Sequence, residues 1–374
     1  LSYVSLIADQ IRLNEDNLLN NAKLEYDRAK AVSDIYLTAE EVAVKLSKDL
    51  HGPVVNFSYL SWHSAEPTIE PEGDVESLEE VSAQIASSSL IRVQQIPSMT
   101  LNINELVIND KPYGDWGLLL TNLGKRLRID PISTELEKGE FTGSLFWQDD
   151  EHSNVELILD IEGENIDELT QKFSPEALLT SKDYKIDVSL SWLGTPFDIR
   201  RETLTGRINF TAENGVIEKI NELPSFLKAL GVFNIHALAR RLTLDFSDVS
   251  SEGLTYDKVS TSLSIKEGQL TTLEPLRVIS PAVEIELKGQ ADLVTETLDE
   301  QLLASFPLGN ALPIAGLLLG VPQVAGILYI TDKIFGSQLA KVTSVEYTIK
   351  GPFSDPVITP IVHKPKSNSK NRDK

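Results

Sequence analysis

The stretch Val155-Glu156-Leu157-Ile158-Leu159-Asp160-Ile161 decides the fold class. Val155, Leu157, Leu159 and Ile161 fall on one side of an extended chain, with Glu156 and Asp160 on the other; this is the two-residue period of a half-buried strand. The period recurs outward from there. Ile186, Val188, Leu190 and Trp192 oppose Asp187, Ser189 and Ser191, and Leu204, Ile208 and Phe210 oppose Thr203, Thr205, Arg207 and Asn209. Leu242, Leu244 and Phe246 repeat it, as do Val259, Leu263 and Ile265, then Val283, Ile285 and Leu287, and finally Val345, Tyr347 and Ile349. Asn214-Gly215, Glu267-Gly268, Ser280-Pro281 and Lys350-Gly351-Pro352 are read as turn signals between runs. One dry face and one wet face is the habit of antiparallel sheets.

Other segments depart from this pattern. Residues 165–180 hold a short helical candidate around Ile166, Leu169 and Phe173, and a helical pair is expected at 222–241, its second member capped by Asn234. Residues 64–95 begin acidic, with Pro67 and Pro71, and read as a linker or exposed loop. Residues 302–331 carry no charged side chain, and three prolines break the run. It is long enough for a membrane helix, but the prolines favour two shorter apolar helices. Three placements stay open: a helical hairpin packed on the sheet end, an element that dips into a membrane interface, or a bilayer span. Each hides a large apolar surface from water.

The expected layout is therefore N-terminal strands at 1–63 continuing an upstream sheet, the linker or loop at 64–95, and a main β body at 96–301. An apolar helical segment at 302–341, a closing strand at 342–362 and a disordered basic tail at 363–374 complete it. The chain opens on Leu1 in what reads as a strand, without a charged-then-apolar leader. The expectation is a C-terminal portion of a longer protein whose anchor or export signal lies upstream.

The 374 residues carry a net charge of −22 and 41% hydrophobic residues, enough apolar mass for a core. Such acidity opposes nucleic acid, which needs clustered Lys and Arg, and keeps the protein soluble. With no cysteine there are no disulfides, thiolate metal sites or cysteine nucleophiles. The five histidines, His51, His63, His152, His236 and His363, have no metal-ligand spacing, and no hydrolase elbow or phosphate-binding loop is present. Asp149-Asp150-Glu151 reads as a solvated turn. The expectation is a non-catalytic protein without cofactors.

The densest polar cluster is Arg240-Arg241-Leu242-Thr243-Leu244-Asp245-Phe246-Ser247-Asp248. It reads either as an anion or headgroup site or, preferably, as an ion-paired helix-to-strand corner. Together with Gly253-Leu254-Thr255-Tyr256-Asp257, Trp192-Leu193-Gly194-Thr195-Pro196, Leu312-Pro313-Ile314-Ala315-Gly316, Gly320-Val321-Pro322 and Tyr347 through Pro356, it carries a resemblance. Over roughly 97–362 the chain resembles the C-terminal region of AsmA-like proteins, of the AsmA/TamB-type bridge-like lipid-transfer superfamily. One departure is Phe353, where that pattern leads one to expect tryptophan.

The resemblance implies a long β structure anchored in the inner membrane and crossing the periplasm of a Gram-negative cell. It implies carriage of phospholipid between inner and outer membranes in support of the outer-membrane barrier. The residues alone leave two closures open, a two-sheet sandwich or one long curved antiparallel sheet forming an open hydrophobic groove; the resemblance favours the groove. Its candidate lining is Val155, Leu157, Leu159, Ile186, Val188, Leu190 and Ile208. The expected partners are phospholipid, a membrane met through 302–335, and an outer-membrane or periplasmic protein. The alternative function is an assembly module that binds outer-membrane protein segments by strand addition.

Overall fold

A computed structural model describes residues 3–13, 17–27, 34–50, 52–63, 92–136, 138–150, 153–167, 169, 179–196, 199–217, 254–281, 283–307, 329–335 and 338–361. The protein is mainly β. Helical backbone among the described residues is confined to Ile166, Asp167 and Leu169 and to the 3-10 turns Val93–Gln95 and Arg201–Thr203. Ile166 and Leu169 are buried, as their spacing suggested. The expected helix does not reach 180, because Leu179 bridges Ile217. The helical pair expected at 222–241, the strand at 242–246 and the basic cluster lie outside the described residues.

The chain divides into two compact units, 1–164 with 185–208, and 165–184 with 209–374. In the first, strands β1 (Tyr3–Arg12), β2 (Leu18–Asp27), β3 (Asp34–Thr38), β4 (Val42–Lys48) and β5 (Pro53–Trp62) form an antiparallel meander. β5 then runs parallel to β6 (Met99–Ile103) and β7 (Leu106–Ile108). The sheet was expected to be mainly antiparallel, and at this junction it is parallel. A parallel pair needs a long crossover, and the chain between Trp62 and Met99 supplies the length. β7 turns through Asn109 and Asp110, both at positive φ, into β8 (Lys111–Pro112). β9 (Trp116–Asn122) pairs with β6, and β10 (Arg126–Leu136), β11 (Gly139–Gln148) and β12 (Asn154–Gly163) continue the meander.

Two bulges keep the faces in phase. Ile129 faces Leu145 and Ile132 faces Gly143, so three steps on β10 match two on β11. On β5, Phe57 faces Val44 while Tyr59 faces Ala43, which places one extra residue in that strand. A bulge adds a residue without a partner. Without it, every later side chain would change face.

β13 (Asp183–Leu193) and β14 (Thr205–Ile217) are each divided between the units. The second unit holds β15 (Leu254–Lys266), β16 (Gln269–Ile279), β17 (Glu284–Asp292), β18 (Thr297–Pro307), β19 (Tyr329–Phe335), β20 (Gln338–Pro352) and β21 (Val357–Pro360). β15 to β18 pair in sequence order, β18 and β19 each pair with β20, and β21 pairs with β20. Glu267-Gly268, both at positive φ, form the β15–β16 turn as read. Asn214-Gly215 does not turn the chain; it lies inside β14, where a Cβ on Gly215 would meet Tyr256 Oη at 2.5 Å.

The apolar helical segment expected at 302–341 is corrected where it is described. Residues 302–307, 329–335 and 338–341 are strand, and 308–328 lie outside the described residues. The reason is position. β18 is flanked by β17 and β20, and from Leu302 to Ser305 neither face is exposed, with Leu302 buried on one and Ser305 on the other. A strand buried on both faces reads as a continuous apolar run, and periodicity cannot separate it from a buried helix.

Candidate functional site

Residues paired across neighbouring strands project from the same face of a sheet. Following the register through the first unit therefore traces what each face presents. One row runs Val4, Tyr26, Ile35, Leu46, Val55, Leu101, Leu118, Ile132, Gly143 and Leu159. A second runs Leu6, Leu24, Leu37, Val44, Phe57, Ile103 and Trp116 beside it. The opposite face carries Ser5, Glu25, Tyr36, Lys45, Asn56, Asn102, Gly117, Ser133, Thr142 and Asp160 in a row of its own. That polar face is tied together by Asn102 Nδ2 donating to Asn56 Oδ1 at 2.8 Å and by Lys45 pairing with Asp34 at 3.0 Å. Lys23, 2.8 Å from Glu25, holds that carboxyl below its usual range.

The first apolar row is half-buried along most of its length, exposed at Leu46 and buried at Ile132. Each large apolar side chain left in this state forgoes part of the roughly 1.5–3 kcal/mol that full burial provides. Gly143 makes room in the row: a Cβ there would lie 2.7 Å from Leu159 Cδ2.

At the β9–β12 end the same face is closed. Val93, Leu120, Leu127, Trp147, Val155 and Trp192 form a buried cluster, with Leu145, Leu157, Leu190 and Leu204 packed half-buried against it. Val93 is wholly buried, and the turn carrying it is pinned by polar bonds. Asp149 accepts from Val93 N at 3.0 Å and from Arg92 Nη1 at 3.1 Å, and Asn122 Nδ2 donates to Val93 O at 2.7 Å. Asp149 is thus a buried anchor, not part of a solvated turn, and Val93 belongs to the core although 64–95 was read as a linker or loop. No local signal marks either residue, because their contacts span more than fifty positions.

Of the candidate lining residues, Val155, Leu157 and Leu190 come together in this cluster, and Leu159 lies in the long row. Ile186, Val188 and Ile208 are half-buried on β13 and β14. The sequence reading missed the contributions of β4, β6 and β9, which are short, and of β5, whose alternation a bulge interrupts.

The second unit has an apolar face of its own, buried over most of its length. Val259, Val278, Ile285 and Ala304 form one row, and Leu276, Leu287, Leu302 and Tyr347 another. Glu300 stands on this face, paired with Gly289 on β17 and Ile349 on β20. It is 1% exposed, and burial raises its pKa to about 8. Among the described residues there is no cluster of three or more His, Asp or Glu side chains able to hold a metal. No described helix is long and apolar enough to cross a membrane.

The first unit is thus a broad sheet with one apolar and one polar face. The chain belongs to the YhdP family, whose model, described as YhdP protein, matches residues 4–358. It is 26% identical over 206 residues to the intermembrane phospholipid transporter YhdP of Escherichia coli (strain K12). The match covers 55% of this chain and 16% of that protein, so the chain corresponds to a small part of its relative. No solved structure matches.

Proposed function

We propose that this chain is a non-catalytic, periplasmic lipid-transfer segment that shelters phospholipid acyl chains on its apolar sheet face. In this reading it belongs to an inner-membrane-anchored protein that reaches toward the outer membrane and supports its barrier. The observation that carries it is the half-buried row from Val4 to Leu159, backed by a hydrogen-bonded polar face. Membership of a family with a phospholipid transporter points the same way. Each methylene moved from water onto the track contributes about 0.8 kcal/mol. Acyl chains would be held without specific polar contacts, and a row without a deep minimum lets them slide. The segment 302–335 is the proposed membrane contact.

Mass spectrometry of the gently purified chain tests the reading. Phospholipid is expected to accompany it in detergent-free buffer after exposure to vesicles; its consistent absence would count against the proposal.

A second reading, strand addition with an outer-membrane protein segment, is favoured by β1. Among the described residues that strand pairs with β2 alone, and it exposes Leu6 (60%) and Ile7 (76%). Apolar edge strands invite such pairing.

A further inference from the structure

Glu300 is the one acidic side chain on its face whose two carboxyl oxygens are buried and have no hydrogen-bond partner among the described residues. Buried polar atoms without partners are rare, and each needs an explanation. Leu298 and Leu302 flank it on β18, and both are buried. On β17, Leu287, Gly289 and Ala291 share its face, and on β20, Tyr347, Ile349 and Gly351 do so. Tyr347 is the single titratable group among these neighbours. Asp299, Lys288 and Lys350 take the alternate register, and Lys350 pairs with Asp299 at 2.8 Å. The other deeply buried acid of this unit, Glu284, has Arg277 at 3.7 Å. Gly289 brings the strands close: a Cβ there would lie 2.6 Å from Glu300 Cα and 3.0 Å from its Cγ.

We propose that Glu300 is a lipid-contacting residue, a neutral carboxylic acid that donates a hydrogen bond to an ester carbonyl of a diacyl phospholipid lodged on the apolar face of the second unit. The proposal rests on the phospholipid reading above and names a residue for it. An amphiphile with apolar chains and an embedded acceptor matches both halves of the environment. Where acyl chains replace protein side chains on this face, apolar packing is exchanged for apolar packing. The new carboxyl-to-carbonyl bond is then the gain. The raised pKa keeps the acid protonated, and so able to donate, at neutral pH. A cationic headgroup would instead draw the proton off.

The full chain is incubated with dioleoylphosphatidylcholine vesicles carrying carbon-13 at the ester carbonyls, then separated from them. Bound lipid is counted by mass spectrometry, and the ester band is followed by isotope-edited infrared spectroscopy. The wild type and E300Q, which keeps an N–H donor, are expected to retain lipid with a shifted ester band. E300L is expected to lose the shifted band and several-fold of the lipid while keeping its circular dichroism. Raising the pH past about 8 should release this lipid from the wild type, as the acid ionises, and not from E300Q. Lipid and band unchanged in E300L would overturn the Glu300 contact alone. A wild type that takes up no phospholipid would overturn the broader reading with it.

Discussion

Trp147→Ala is expected to destabilise the first unit by about 3–5 kcal/mol, the usual range for emptying an aromatic site in a core. Trp147 is 1% exposed and stands in register between Leu127 and Val155, with Val93 in the same cluster. Its Nε1 donates to Ser153 Oγ at 3.1 Å, and Ser153 Oγ donates to Gly194 O at 2.8 Å, so the indole also anchors the turn after β11. Alanine therefore leaves a cavity beneath Val93 and an unfilled acceptor at the turn. Urea unfolding followed by circular dichroism reads the effect as a lower midpoint. Trp147→Phe, which keeps most of the volume, should lose clearly less. A midpoint within error of wild type for the alanine variant would refute the dry, closed end described for this face.

The second large effect concerns the half-buried row where it adjoins the closed end, since Leu101 and Leu118 pack against that buried cluster. Leu101 and Leu118 are registered neighbours on β6 and β9, both half-buried. In the double variant Leu101→Asp with Leu118→Asp, an acyl chain crossing the row would have to strip water from two carboxylates. An unpaired buried charge costs far more than the roughly 0.8 kcal/mol per methylene that holds the chain. Phospholipid retained by the purified protein is expected to fall more than tenfold. Ser133→Asp with Thr142→Asp places the same charges on exposed, registered positions of the polar face and should leave retention near wild type. Equal loss in both variants, or none in the first, would remove the apolar row from the mechanism.

How far the sequence exposes this architecture depends on strand environment. β12, β13, β15, β17 and β20 carry long, clean alternation, and each lies where it was read. Their core-facing positions, such as Val155, Ile265 and Ile349, are buried as expected. From Leu302 onward β18 was illegible as strand because apolar or small residues occupy both its faces, which erases the period. The parallel junction at β5 was illegible because pairing direction is set by where a distant strand returns, and nothing in Val54-Val55-Asn56-Phe57 records it. The pinning of Val93 by Asp149 was hidden for the same reason of distance. Glu300 left a trace that local reading discards. It shares parity with Leu298 and Leu302 yet sits in Asp299-Glu300-Gln301, a polar triplet that looks like surface. Of the candidate track, only its β12 end was thus named from the sequence, in Leu159.

The bulge at Asp130-Pro131 gives β10 something akin to a reading frame. Upstream and downstream of it, even-numbered changes in strand length preserve which residues face the oily side, while odd ones turn the remainder inside out. Smoothing the bulge while keeping every residue would leave Ile129 in place and swing Ile132, Thr134 and Leu136 outward, exchanging them for Ser133 and Glu135, whereas deleting the surplus residue would straighten the strand and keep them inward. Relatives that lengthen or shorten this strand are thus constrained to do so two residues at a time, or to gain or lose a bulge with a single-residue change.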